Sequence, residues 1–268
     1  MDSRQLLIFR AAQRGLYGKV FSFSQGSITD ALFVFLDGNP EADSQAILET
    51  HFMARPWVCF TETWEKYIKS HFQNVQIFTR YMMKPRSTFS FLPLRPLPKE
   101  YQLEPMDEAA FNQHPFGHGE NYVSYRCFIA KGAGAVVRKN GEIVASASSF
   151  LSMNGELELD VSTKEEHRGL GLATACVSKM LEQCMAKGFT VHWDAQNETS
   201  KHLAQKFGFE LEAEYPVYSC RGFDTPTLCV ETKGIKAECN YLLRTTTSSL
   251  CGEVVDFIRV SVQPEKHK

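Results

Sequence analysis

The sequence lacks any apolar run approaching the roughly 18–20 residues that span a bilayer as a helix. Its first 19 residues hold a single four-residue apolar stretch, Leu6 to Phe9, set between arginines and too short for a secretory signal. A surplus of one charge is also lacking. Lys and Arg number 29 against 31 Asp and Glu, a net charge of −2, which removes the electrostatic basis for binding nucleic acid or an anionic membrane surface. The eight cysteines include no C-x-x-C pair. Without an export signal they read as reduced thiols of a cytoplasmic protein, and not as a disulfide framework or a zinc site. What remains is 268 residues, 43% apolar and 22% charged, which excludes an extended disordered chain and suffices for a buried core.

Proline marks the main break. Pro85, Pro93, Pro96 and Pro98 fall within 15 residues, and each disfavours helix before it and cannot donate to a sheet ladder. The expected organisation is an N-terminal α/β region over 1–84, a linker over 85–99, a second region over 100–218, and a tail over 219–268 that is disordered in part. The tail carries one strand-like run, Val254 to Val262. In the first region, Glu41 to Met53 reads as a helix. A second helix starting near Thr61 places Trp64, Ile68 and Phe72 on one buried side.

Past the break, Asn140-Gly141 and Asn154-Gly155 each sit between alternating residues, the signature of two successive hairpins. They join strands at about 134–139, 142–151 and 156–163. The third alternates Leu157, Leu159 and Val161 with Glu156, Glu158 and Asp160, a dry face against a polar one. It runs into Thr163–Thr174 (TKEEHRGLGLAT) and then a helix with Leu172, Cys176, Met180 and Cys184 at four-residue spacing, stopped by Gly188. A strand at 190–195, a short helix capped by Asn197 and closed by Gly208, and a last strand at 209–218 complete the pattern.

Gly169 and Gly171 precede a helix, so unpaired amides and the positive end of a dipole converge there; this suits either an anion or a plain tight turn. Two nucleotide motifs fail on these residues. No Lys-Ser or Lys-Thr pair follows as in G-x-x-x-x-G-K-S/T, and Thr174 stands where the dinucleotide fingerprint needs Gly or Ala.

Arg168-x-x-Gly171-x-Ala173 resembles the Gln/Arg-x-x-Gly-x-Gly/Ala turn of the GNAT superfamily of N-acetyltransferases. The order of hairpins, acidic strand, turn, helix, Asn197 and Gly208-Phe209 over residues 100–218 is similar to that superfamily as well. Gly169–Thr174, Trp193-Asp194-Ala195-Gln196-Asn197, Ser200, Leu203-Ala204 and Tyr215-Pro-Val-Tyr218 resemble its subgroup that includes the zwittermicin A resistance acetyltransferase. The resemblance implies a mixed-sheet α/β acyl-CoA transferase fold, acetyl-CoA as acyl donor and a small-molecule primary amine as acceptor.

By the same resemblance, the amides of Gly169, Leu170, Gly171, Leu172, Ala173 and Thr174 would hold the CoA pyrophosphate, with Arg168 orienting the turn. The backbone of Val161, Ser162 and Thr163 would pair with the pantetheine arm, and an N–H near Thr163 would meet the oxyanion. Asn197 and Ser200 would lie beside the arm; Asn197 is equally read as a pure helix cap, and one side chain could do both. Glu158 and Asp160 are candidate bases, or else charges that recognise a cationic substrate. Ala204 stands where many relatives carry a tyrosine that protonates the thiolate. Tyr215 and Tyr218 are the nearest substitutes, and the missing tyrosine keeps a non-catalytic acyl-CoA-binding module as an alternative. His114 and His118 frame a Pro-Phe-Gly turn; two histidines without a third ligand read as loop polar groups, so no metal is expected.

Overall fold

The computed structural model describes residues 5–85, 89 and 95–220. The strand-like run expected at Val254 to Val262, and the tail as a whole, lie outside the described residues.

The chain forms α1 (Leu7–Gln13), β1 (Lys19–Ser22), β2 (Gly26–Asp30), β3 (Val34–Gly38), α2 (Ala42–His51), β4 (Trp57–Cys59), α3 (Glu62–His71) and β5 (Gln76–Pro85). It continues with β6 (Tyr101–Pro105), α4 (Glu108–Phe111), α5 (Tyr125–Lys131), β7 (Gly134–Lys139), β8 (Glu142–Met153) and β9 (Glu156–Thr163). Then come α6 (Leu172–Lys187), β10 (Thr190–Ala195), α7 (Glu198–Lys206) and β11 (Phe209–Ser219). The strands make one mixed sheet in the order β1-β2-β3-β4-β11-β5-β10-β9-β8-β7-β6. This is the mixed α/β architecture expected.

Both Asn-Gly pairs make their hairpins. Asn140 and Gly141 have φ of 50° and 83°, Asn154 and Gly155 of 54° and 80°, which turns two consecutive residues left-handed and matches the twist of the flanking strands. The sheet is continuous across the proline break, because β5 is hydrogen-bonded on both edges. Met83 lies opposite Trp193 of β10 on one side and Leu211 of β11 on the other. Strands read as two regions in the sequence therefore share one sheet.

Strand alternation sends apolar side chains to both faces. On one face, Leu157, Leu159, Val191 and Trp193 pack against Leu172, Cys176, Met180 and Cys184, the four-residue stripe of α6. On the other, Leu7, Ala11 and Phe9 of α1 pack against Phe35, Val58, Met82 and Val217. The Trp64 and Ile68 face of α3 is buried with Trp57 and Tyr218, and Phe72 packs at its edge. A smaller core gathers Phe111, Phe116, Phe128 and Val136 under α4 and α5. Among the described residues no helix is long and apolar enough to cross a membrane.

Met83 is 1% exposed at the centre of this arrangement. Met83→Ala is expected to cost about 2–5 kcal/mol, the range for emptying a buried methionine site. Chemical denaturation followed by fluorescence, with Trp57 and Trp64 on one side of the break and Trp193 on the other, should show one transition shifted as a unit. Two separable transitions would contradict a shared sheet.

Candidate active site

The turn between β9 and α6 is built by backbone conformation. Gly169 and Gly171 have φ of 79° and 80°, which side-chain-bearing residues avoid, and a Cβ at either would meet nothing within 4 Å. The glycines are therefore needed for the left-handed turn, and the space beside them is open. Gly171 is the N-cap of the 16-residue α6, yet no side chain caps it and no acidic residue lies in its first turn. The first amides thus have no intrahelical acceptor and the dipole no compensating charge. Leu172, 1% exposed, anchors the turn in the core, while Arg168, Gly169 and Leu170 remain exposed. Such a cradle suits phosphate or pyrophosphate.

Beside it, two parallel strands part. β9 and β10 pair only from Glu156–Thr190 through Glu158–His192. Beyond that point β10 turns to β5 while β9 keeps β8 on its other edge, so among the described residues the edge of Leu159–Thr163 facing β10 has no strand partner. The gap opens at the carboxyl ends of both strands, towards the N-termini of α6 and α7. At its closed end Glu158 replaces the ladder: its Oε1 accepts the Asp194 backbone N–H at 2.9 Å. At the far side Asn197 accepts the Ser200 amide at 2.9 Å and caps α7, and Ser200 Oγ accepts the Trp193 indole N–H at 3.1 Å.

Below the gap, on the α1 face, lies a buried charge cluster. Glu158 is 5% exposed; burial, and then the neighbouring Asp194, push its carboxyl up to about 8. Asp194 Oδ2 accepts from Arg80 Nε at 3.0 Å and from the Tyr215 hydroxyl at 2.7 Å, while Arg80 Nη2 donates to the Asp194 carbonyl at 3.0 Å. The guanidinium sits 4.8 Å from the centre of the Phe33 ring. Burial raises Asp194 as well, but Arg80 and Tyr215 oppose that. Of the two carboxylates, Asp194 holds the negative charge against Arg80 and Glu158 holds the proton near neutrality. A cavity of about 450 Å³ adjoins them, lined by Leu6, Arg10, Met82, Glu158, His192 and Asp194 among others. On its rim Glu156 accepts from Arg10 Nη2 at 2.5 Å and lies 2.7 Å from His192 Nε2.

Asp160, with a side chain 44% exposed, lies one strand repeat farther along the same face, its Oδ2 3.2 Å from His118 Nε2. Burial pulls His118 down, but Asp160 and Glu120 outweigh it and hold the imidazole at about 9.

Glu158, Asp160, the turn and the free edge of Val161–Thr163 are thus brought around one opening. Tyr215 joins them only through Asp194, to which its hydroxyl donates, and burial raises it well above its usual value. Tyr218 is buried in the α3 core, away from the gap, and Ala204 is fully buried in the α6-face core. Asn197 caps α7, and Ser200 accepts the Trp193 indole N–H; both stand at the helix N-terminus that faces the gap. Sequence reasoning missed Arg80, Asp194, Arg10 and His192. The alternation of His192 and Asp194 with Val191, Trp193 and Ala195 was a usable signal for two of them; no local pattern marks Arg80, whose role arises from strand pairing 114 residues away.

Residues 2–218 match the family model for GNAT acetyltransferases. The chain is 34% identical over 146 residues to the uncharacterized N-acetyltransferase YdfB of Bacillus subtilis (strain 168), a match covering 50% of this chain and 55% of that protein. The GCN5-related N-acetyltransferase-like protein from Streptococcus suis 89/1591 superposes with a TM-score of 0.68 at 27% identity, covering 80% of this chain and 93% of that one. A GCN5-related N-acetyltransferase from Kribbella flavida shares the fold, with a TM-score of 0.53 at 12% identity over 79% of this chain and 94% of that one. The likeness therefore takes in the N-terminal strands as well as residues 100–218, and the chain belongs to the GNAT acetyltransferase family.

Proposed function

We propose that this chain transfers the acetyl group of acetyl-CoA to the primary amine of a small molecule. The observation that carries this reading is the parting of β9 and β10 with a buried, proton-holding carboxyl at its closed end. The amides of Gly169–Thr174 would take the pyrophosphate, and the unpaired edge of Val161–Thr163 would take the pantetheine arm as an added strand. That edge leads the thioester towards Glu158.

An aliphatic amine is mostly protonated near neutrality and must lose a proton before it attacks. Glu158, poised at about 8, is a stronger base than an ordinary carboxylate and is the acceptor assigned to that proton. The amine then forms a C–N bond to the acetyl carbon, the C–S bond breaks, and the second proton lost by the attacking nitrogen balances the one taken up by the departing thiolate. Amides facing the gap near Thr163 would stabilise the developing oxyanion. Asp160, more exposed, is assigned to recognition of the cationic acceptor. Tyr215 is assigned to positioning Asp194, because its proton is held by that carboxylate. The cavity of about 450 Å³ beside Glu156 and Glu158, together with the subgroup resemblance, supports a small amine. Cys59, Cys176, Cys184 and Cys220 are free thiols, but Cys127 is disulfide-bonded, which corrects the expectation of uniformly reduced cysteines and takes the thiols away as support for a cytoplasmic setting.

A second reading, a module that binds acyl-CoA without turnover, is favoured by Ala204 in place of a tyrosine. Calorimetric titration of acetyl-CoA should show binding to the unmodified chain. Binding should be lost in an Arg168→Glu, Gly171→Asp variant whose circular dichroism is unchanged. Absence of binding to the unmodified chain would overturn the proposal, and binding without turnover across a broad panel of amines would favour the second reading.

Because the base acts when deprotonated, kcat/KM should rise with pH through a midpoint near 8. Glu158→Gln should lose that rise and about 10²–10⁴-fold in kcat. Unchanged turnover in that variant would contradict the assignment of Glu158.

A further inference from the structure

The segment between α4 and α5 is not used by the reaction just described, yet it is built with care. Gly117 rests against the carbonyls of Ala110 and Phe111, where a Cβ would come to 2.2 and 2.3 Å, so no other residue fits without displacing the backbone. The amides of Phe116 and Gly117 both donate to the Gln113 carbonyl at 2.9 Å, and Asn121 ties the segment to the Phe150 carbonyl at 2.9 Å. These contacts fix His118, which is 5% exposed and packs its ring edge-on against Phe150 at 5.0 Å.

His118 faces two ways. Its Nε2 meets Asp160 at 3.2 Å. Its Nδ1 is buried, with Glu120 Oε1 at 3.7 Å and no partner within hydrogen-bond distance among the described residues. His114 completes the surroundings: one ligand atom from each of His114, His118 and Glu120 falls within 4.8 Å of the others. Nδ1 thus faces the Glu120 carboxylate across a separation longer than a hydrogen bond, the spacing of two ligands that share one ion.

We propose that His114, His118 and Glu120 bind a divalent transition-metal ion, with zinc the best match. Two imidazoles, one carboxylate and an open position for water are a recurrent zinc set. At zinc–ligand distances of about 2.0–2.2 Å, tetrahedral neighbours lie about 3.3–3.5 Å apart. The His118–Glu120 pair is almost there at 3.7 Å. His114 and Glu120 are exposed and free to close the remainder, while the buried His118 is the fixed point.

The ion would replace the proton on Nδ1. His118 then carries its one remaining proton on Nε2, directed at Asp160, the carboxylate–histidine–metal arrangement that orients metal-bound imidazoles. Asp160 would in turn be held at the mouth of the gap by a rigid donor. His118 is thereby a positioning residue for Asp160, and the site stands independently of the acetyl-transfer reading.

The test is zinc titration of the full-length chain, stripped with chelator, against a chromophoric competitor. His114→Ala and Glu120→Gln are run alongside; both residues are exposed, and circular dichroism checks their fold. One equivalent should bind to the unmodified chain, and each variant should weaken it about 100-fold, with Asp160→Asn weakening it about 10–100-fold. Cobalt in place of zinc should give visible d–d bands without sulfur-to-metal charge transfer. No bound equivalent, equal affinity in the His114→Ala and Glu120→Gln variants, or a thiolate charge-transfer band would each overturn the proposal.

Discussion

A single hydrogen bond sits where the sheet opens: the Asp194 amide donates to the Glu158 carboxyl at 2.9 Å, in the place where the next backbone pairing of β9 and β10 would fall. A backbone N–H that lost its strand partner and found no other would be costly to bury. Glu158 removes that cost and so permits the strands to part inside the fold. It does so with a titratable group, which places an ionisable carboxyl at the closed end of a cleft whose open end faces two helix N-termini. Structure and chemistry are thereby tied to the same side chain.

The cluster behind Glu158 explains why it keeps its proton so long. Arg80 contributes one positive charge to two buried carboxyls. Its geometry favours Asp194, which also receives the Tyr215 hydroxyl, so the negative charge settles there and opposes ionisation of its neighbour. Like charges in one dry site part in their proton affinity in this way. Arg80 comes from β5, before the proline break, while Glu158 and Asp194 come from after it. The N-terminal strands are thus structurally part of the cleft: β5 supplies the edge on which β10 rests once it leaves β9, and the adjoining cavity is lined by Arg10 of α1 and by Leu6 just before it.

Much of this was legible in the sequence, and the division follows the range of the interactions. Local rules fixed the two Asn-Gly hairpins, the α6 stripe, its glycine stop and the Asn197 cap, because turn conformation and helix spacing depend on near neighbours. β8 runs two residues past its expected end, to Met153, after a register shift between Ser149 and Leu151. The polar face of Glu158 and Asp160 was legible from alternation alone. What could not be read was which charges meet. Arg80 reaches Asp194 across 114 residues, and Arg10 reaches Glu156 across 146, through strand and helix placements that no periodicity encodes. The same limit applies to His118, whose contacts with Asp160, 42 residues on, and with Phe150 arise from the packing of the sheet.

The protonation of one carboxyl links the parting of the strands to the proposed reaction. Carbon-13 NMR of the chain labelled at glutamate side chains, with Glu158→Gln used to assign the signal, would follow that titration directly. A midpoint near 8 is expected for Glu158, displaced from the ordinary value of 4.5. A midpoint at the ordinary value would mean that the carboxyl is ionised and solvated at neutral pH, and would contradict both its burial at the parting of the strands and its role as the proton acceptor.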